Sequence, residues 1–339
     1  MDAQMQTCPI RSICNIVAAH QHPFIPDKNR RTAMGFDFLE NGPLPTRDVC
    51  DIVASFNRSF KGVSRLTLVG HTRVVTALAV LPDYKIASGS WDKTVRVWDA
   101  ANGECLYTLY GHTDGVVKLA ALSEGKLASG SYDGTVRVWQ NDACLRTLDG
   151  HHPSRVNALA GLSDNKLASA RLDGVVFVWH TVTGEKLLRL THQYPVVAFA
   201  EMPDGKLVSA STFFITVWDV QNGECLRTLE THAGLSALLV LPNGNYLIAY
   251  RDDTIRVCNP TSLECLVTHQ ASCDIHALVH LPDGEIAASS REHVSIWDAE
   301  RMATIRDYPC SGHGLAALPC GGIVTGAQGE NDFNVHVWW

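Results

Sequence analysis

Apolar residues in this chain fall in strand-sized runs, such as Val74 to Leu81 and Val116 to Leu122, punctuated by Gly, Asp, Asn and Pro. Within Thr94-Val95-Arg96-Val97-Trp98 the alternation has period two, which puts Val95 and Val97 on one face of a strand and Arg96 and Trp98 on the other. The runs close on an aromatic or its substitute at Trp98, Trp139, Trp179, Trp218, Cys258, Trp297 and Trp338, with gaps of 41, 40, 39, 40, 39 and 41 residues. A period of this size means an array whose units cannot bury their faces alone and must pack on their neighbours.

One unit, Gly70 to Leu109, reads as four short β-rich runs separated by turn residues, with no room for a helix. That pattern predicts a four-stranded antiparallel meander, and the spacing predicts seven of them over residues 61–339. Residues 1–60 remain as an extension. Within it, Asp48 to Phe56 after Pro43-Leu44-Pro45 predicts a short helix, about 45–57, with Val49, Ile52, Val53 and Phe56 on one face.

Net charge is −7, with 28 basic and 35 acidic residues, which argues against a protein that wraps a phosphate backbone; nucleic acid is excluded as a first expectation. No apolar run approaches the roughly 18 residues of a membrane span, and the N-terminus lacks the basic start and apolar core of a secretory signal. Of the 11 cysteines, Cys105, Cys144, Cys225 and Cys265 occupy one repeated slot. They read as small buried hydrophobes of a reducing compartment, cytoplasmic or nuclear, and not as a disulfide framework.

These repeats resemble the WD-repeat family of β-propellers over roughly four fifths of the chain. Gly70-His71, Gly111-His112, Gly150-His151 and Gly312-His313 match the family's opening dipeptide, and Trp98-Asp99, Trp218-Asp219 and Trp297-Asp298 its closing one. The resemblance implies a structural hydrogen-bond network in which Asp92 bonds His71, His71 a serine of Ser88-Gly89-Ser90, and that serine the indole of Trp98; Asp133, His112 and Trp139 would repeat it. Because the set recurs from unit to unit, it reads as structure and not as a hydrolase triad.

The last unit ends on its third strand, and Ser64 to Leu68 copies the fourth-strand pattern of Cys225 to Leu229, so an N-terminal strand near 64–68 is expected to close the ring. The pattern decays in the fourth to sixth units: Ser211-Thr212-Phe213-Phe214 lacks the turn Asp, Cys258 replaces Trp, Thr231-His232 replaces Gly-His, and Glu292 takes the place of Asp. An insertion, Gln328 to Phe333, marks the seventh.

In such a ring the loops before the first strand and between the second and third share one face, the top. They carry Arg73, Trp91, Tyr132, Arg155, Arg171, Leu172, Tyr194, Phe213, Arg251 and Arg291, residue types that anchor protein interfaces. Asp83, Glu104, Glu185, Asp204, Glu224, Glu264 and Asp283 fall on the opposite face, so an acidic or phosphorylated partner protein or peptide is expected at the top, although Asp114, Asp253, Asp274 and Glu330 share the top face and reduce the contrast. Cys8, Cys14, His20 and His22 lack metal-site spacing, and no phosphate loop or nucleophile elbow is present, so neither metal nor cofactor is expected.

The function expected is a non-enzymatic interaction scaffold with no small-molecule substrate. The resemblance adds a narrower form, a ubiquitin-binding propeller or ubiquitin-ligase substrate receptor, to which an F-box-like start at Leu44-Pro45 would belong. An enzyme with its site in the central channel is disfavoured because the first strands read as small and apolar.

Overall fold

The computed structural model describes residues 65–149, 154–231, 233–271, 274–290, 293–298, 304–308, 314–326 and 333–338. The expected extension 1–60 with its helix, Leu44-Pro45, the four zinc candidates, Arg291, Gly150-His151 and Gly312-His313 lie outside them.

The predicted meanders are present as seven four-stranded antiparallel sheets. In blade 1 the strands are Val75–Leu81, Lys85–Ser90, Val95–Asp99 and Cys105–Leu109, paired in that order; the first strands of the later blades begin at Val116, Val156, Val196, Leu235, Ile275 and Leu315. The only helical piece among the described residues is a 3-10 turn, Ser123–Gly125. The described residues are therefore all β but for that turn, and form a seven-bladed propeller.

Blade 7 takes three strands from the C-terminal end and its outermost from Arg65–Leu68, which lies antiparallel to Val335–Trp338 with Leu66 opposite Val337 and Leu68 opposite Val335. Both ends of the array are thereby tied into one sheet. Closure at this strand is the expectation drawn from the copied fourth-strand pattern.

The core is divided between blades. One apolar cluster joins Trp98, Leu78 and Ile86 of blade 1 to Val324, Val335 and Val337 of blade 7. Six further clusters fill the other interfaces, and in them Trp139, Trp179, Trp218, Cys258, Trp297 and Trp338 each pack against the preceding blade. The repeating aromatic is thus the residue that joins one unit to the next, and no blade can bury its face without its neighbour.

The closing Asp of the repeat serves a turn. Asp99 Oδ1 accepts the backbone N–H of Ala101 at 2.7 Å, and Gly103, at φ +78°, supplies the left-handed residue that the turn requires. Asp219 with Gln221 and Asn259 with Thr261 repeat the contact.

One expectation is overturned. Cys144, Cys225 and Cys265 are exposed and Cys105 is half-buried, not buried hydrophobes. Their slot opens the fourth strand, the outermost of each blade, which has no strand beyond it to cover its side chains. All four thiols are free.

Candidate functional site

The Asp, His, Ser and Trp residues of blades 1 and 2 form buried chains. Trp98 Nε1 donates to Ser88 Oγ at 2.8 Å, and Ser88 lies 2.8 Å from His71 Nε2. Because the indole occupies one serine lone pair, the serine hydrogen is free to donate to Nε2, which places the imidazole proton on Nδ1, 2.7 Å from Asp92 Oδ2. Thr94 Oγ1 and the Thr72 N–H also donate to Asp92. Burial alone would raise the Asp92 carboxyl, but the hydrogen bonds from His71, Thr94 and the Thr72 N–H outweigh it and hold the group well below the usual carboxylate range. Blade 2 copies the arrangement with Trp139, Ser129, His112 and Asp133 at 2.8, 2.8 and 2.9 Å. These are buried ties between strands, repeated from one blade to the next.

The ties thin out around the ring. In blade 3 Trp179 keeps its bond to Ser169, and in blade 4 His192 and Trp218 share Ser209 without a carboxylate partner. Burial pushes the His192 pKa down to about 4. In blade 5 Cys258 replaces the Trp while Ile248 takes the serine's place opposite Leu238. In blade 6 Ala288 occupies that place opposite Leu278, and the buried Trp297 N–H has no acceptor. Blade 7 substitutes Thr325, whose hydroxyl accepts from Trp338 at 2.9 Å.

At the top, several of the expected interface residues come together across blade boundaries. Trp91, 46% exposed, lies on Gly115 of blade 2, where an added Cβ would meet its ring at 3.1 Å. Tyr132 of blade 2 accepts at its hydroxyl from Arg155 Nη1 of blade 3 at 2.9 Å, and the guanidinium carbon stands 5.1 Å from the ring centre. Leu172, 42% exposed, is tied to the same loop by its N–H to the Arg155 carbonyl at 3.2 Å. On blade 4, Tyr194 and Phe213 meet edge to face at 5.6 Å.

The remaining top-face residues fall elsewhere. Arg73 is exposed, with its carbonyl accepting from Ser90. Arg171 is buried, 3.4 Å from Asp173 and over Phe177. Arg251 borders a separate cavity of about 320 Å³ with Ser236, Asp274 and His276.

The opposite face is less acidic than its carboxylates suggest. Lys85, Lys126, Lys166 and Lys206 pair with Asp83, Glu124, Asp164 and Asp204 at the turns between first and second strands. The expectation of small apolar first strands needs correcting too: Thr76, Lys118, Asn157, Ser236 and His276 all lie on them. Lys118 had a legible signal, a single cation where the other repeats place a small residue, visible once the repeats are set in register.

A ring of four-stranded blades with cross-blade loop contacts on one face defines a β-propeller of the kind that typically serves as an interaction scaffold. The chain carries WD40 repeats at four positions: residues 62–99, 103–140, 142–180 and 223–259 match the model of the WD domain, G-beta repeat. Each match ends at or just past a third strand, so the sequence unit pairs the outer strand of one blade with the inner three of the next. Propellers of this kind generally bind proteins or peptides and are generally non-enzymatic. No curated protein matches the chain. No helix among the described residues is long and apolar enough to cross a membrane.

Proposed function

We propose that this propeller is a rigid recognition scaffold that grips a partner protein through the top-face loops of blades 1 to 4, with residues 1–60 as an extension outside the ring. The observation that carries the proposal is the arc from Trp91 over Gly115 to the Tyr132–Arg155 pair and Leu172. Aromatic and Arg side chains held by neighbours lose little freedom on binding, which is what an interface anchor requires. An acidic or phosphorylated partner suits the arginines there.

The test is affinity capture with mass spectrometry, comparing wild type with a Trp91→Ala/Tyr132→Ala variant of unchanged melting temperature. Partners lost only from the variant support the top face; partners retained move the site elsewhere on the ring or to residues 1–60. The narrower proposal, a cytoplasmic or nuclear component of the ubiquitin pathway, requires ubiquitin or a ligase adaptor among the captured proteins. A capture free of both removes it.

A further inference from the structure

The first strand of each blade has a slot for a small side chain. Ala77, Ala158, Ala198, Ala237 and Ala277 fill it, opposite Gly89, Ala170, Ala210, Ala249 and Ser289 and one residue past a bulge, and Gly314 stands there in blade 7. Blade 2 has Lys118, opposite Gly130, after the same bulge. First strands are innermost in the ring, so the half-buried Lys118 stands on the strand that borders the channel, close enough to blade 3 to feel the charge of Arg155, which reaches over Tyr132.

Burial and the Arg155 charge both press the Lys118 ammonium toward its neutral form. Within the described residues neither Lys118 nor Arg155 has an ion pair with a carboxylate: Asp92 is bonded to His71, Asp133 to His112 and Asp173 to Arg171, and Asp114 accepts the Gly115 N–H. Packing does not call for a lysine, since alanine satisfies the slot in five blades. Two adjacent cations without a counterion are electrostatically costly in the free protein and favourable once an anion arrives. A single carboxylate would leave one of them uncompensated, whereas a phosphate monoester carries close to two negative charges and three acceptor oxygens. Arg155 spends Nη1 on the Tyr132 hydroxyl, which fixes its plane and leaves Nη2 for an oxygen.

We propose that Lys118 and Arg155 form a binding site for a phosphate monoester dianion beside the channel, presented by a phosphorylated side chain of the partner that the top face grips. The site deepens the proposed scaffold function and rests on it. Tyr132 positions Arg155, and Trp91 flanks the approach.

The test uses the full chain with phenyl phosphate and benzoate, a dianion and a monoanion of matched ring, titrated calorimetrically at constant ionic strength. Phenyl phosphate should saturate and bind at least tenfold tighter than benzoate. It should also protect Lys118 from reductive methylation in a peptide map. Lys118→Ala, which restores the residue of the other blades, should lose at least tenfold in phenyl phosphate affinity with no fall in melting temperature; Arg155→Gln should lose as much. Equal affinity for the two probes, or an undiminished affinity in Lys118→Ala, overturns the site.

Phosphatase treatment of the lysate before capture separates the sources: loss of Lys118-dependent partners supports a phosphorylated chain. Capture unchanged by phosphatase, with phenyl phosphate still bound through Lys118, overturns that source in favour of a free phosphate ester. If capture depends on Trp91 and Tyr132 while neither probe binds, the phosphate site fails and the top-face function stands. The reverse pattern sinks the top-face function and with it the partner as the phosphate's source, leaving a site for a free phosphate ester.

Discussion

Blades 1 and 2 and blades 5 and 6 share a backbone plan but satisfy their buried polar groups in different ways. In the first pair the N–H of the central Trp has an acceptor, and the chain runs through Ser88 and Ser129 to His71 and His112 and on to Asp92 and Asp133. In blade 5 donor and acceptor have gone together, Cys258 for the indole and Ile248 for the serine, and both lie in one apolar cluster. Blade 6 has lost the acceptor alone: Ala288 faces a Trp297 N–H that has nothing to bond. The comparison teaches that the network is dispensable to the fold if it is removed whole, and costly if removed in part, because a buried unpaired group forfeits its hydration with no return.

The largest effect should come from cutting a complete chain. Trp98→Phe keeps the ring packed against blade 7 but leaves the buried Ser88 oxygen without its indole donor, and should cost about 1–3 kcal/mol in urea denaturation. The same change at Trp297 removes an orphan and should be within about 0.5 kcal/mol of wild type or stabilising. Equal losses at the two positions would break the comparison. Next in size, Ala288→Ser supplies the missing acceptor and should stabilise the protein by about 1 kcal/mol; a loss of stability would mean that the Trp297 N–H lies out of its reach.

Acid should separate the same regions. The native pKa of His192 lies at about 4, below its ordinary 6.5, because burial disfavours the charged ring. A depressed histidine favours folding fully above pH 6.5 and loses that contribution as pH falls from 6.5 toward 4. Asp92 and Asp133 are depressed from 3.8, so their contribution is complete above that value and declines only below it. Melting temperature should therefore fall between pH 6.5 and 4 in wild type, and His192→Leu should flatten that slope. An unchanged slope would show that another group carries it.

The smallest effects are local. Amide exchange should be faster in the strands of blades 4 to 6 than in those of blades 1 and 2, and even protection around the ring would remove the idea of a softer half. Cys258 can report on it as well. Burial raises its pKa to about 11, so iodoacetamide should modify Cys144, Cys225 and Cys265 first and reach Cys258 only through opening of blade 5.

Much of this architecture is legible in the chain because repetition amplifies weak local signals. One Trp-Asp pair means little, but the near-constant spacing from Trp98 to Trp338 specifies meanders, their number and the need for neighbours, and the fourth-strand pattern at Ser64 to Leu68 indicates how the ring closes. Periodicity could not report where a strand sits radially. That is why the cysteines of the outer strands read as buried and Lys118, on an inner one, passed for part of an apolar wall.

The sequence by itself determined the strands, their order and which residues could pair within a blade, since period-two alternation and turn chemistry act over a few residues. Packing of blade on blade set which side chains meet across blades: Trp91 on Gly115, Arg155 on Tyr132, and Lys118 within reach of the Arg155 charge. Those contacts depend on that packing, which brings residues 23 to 37 positions apart into one surface.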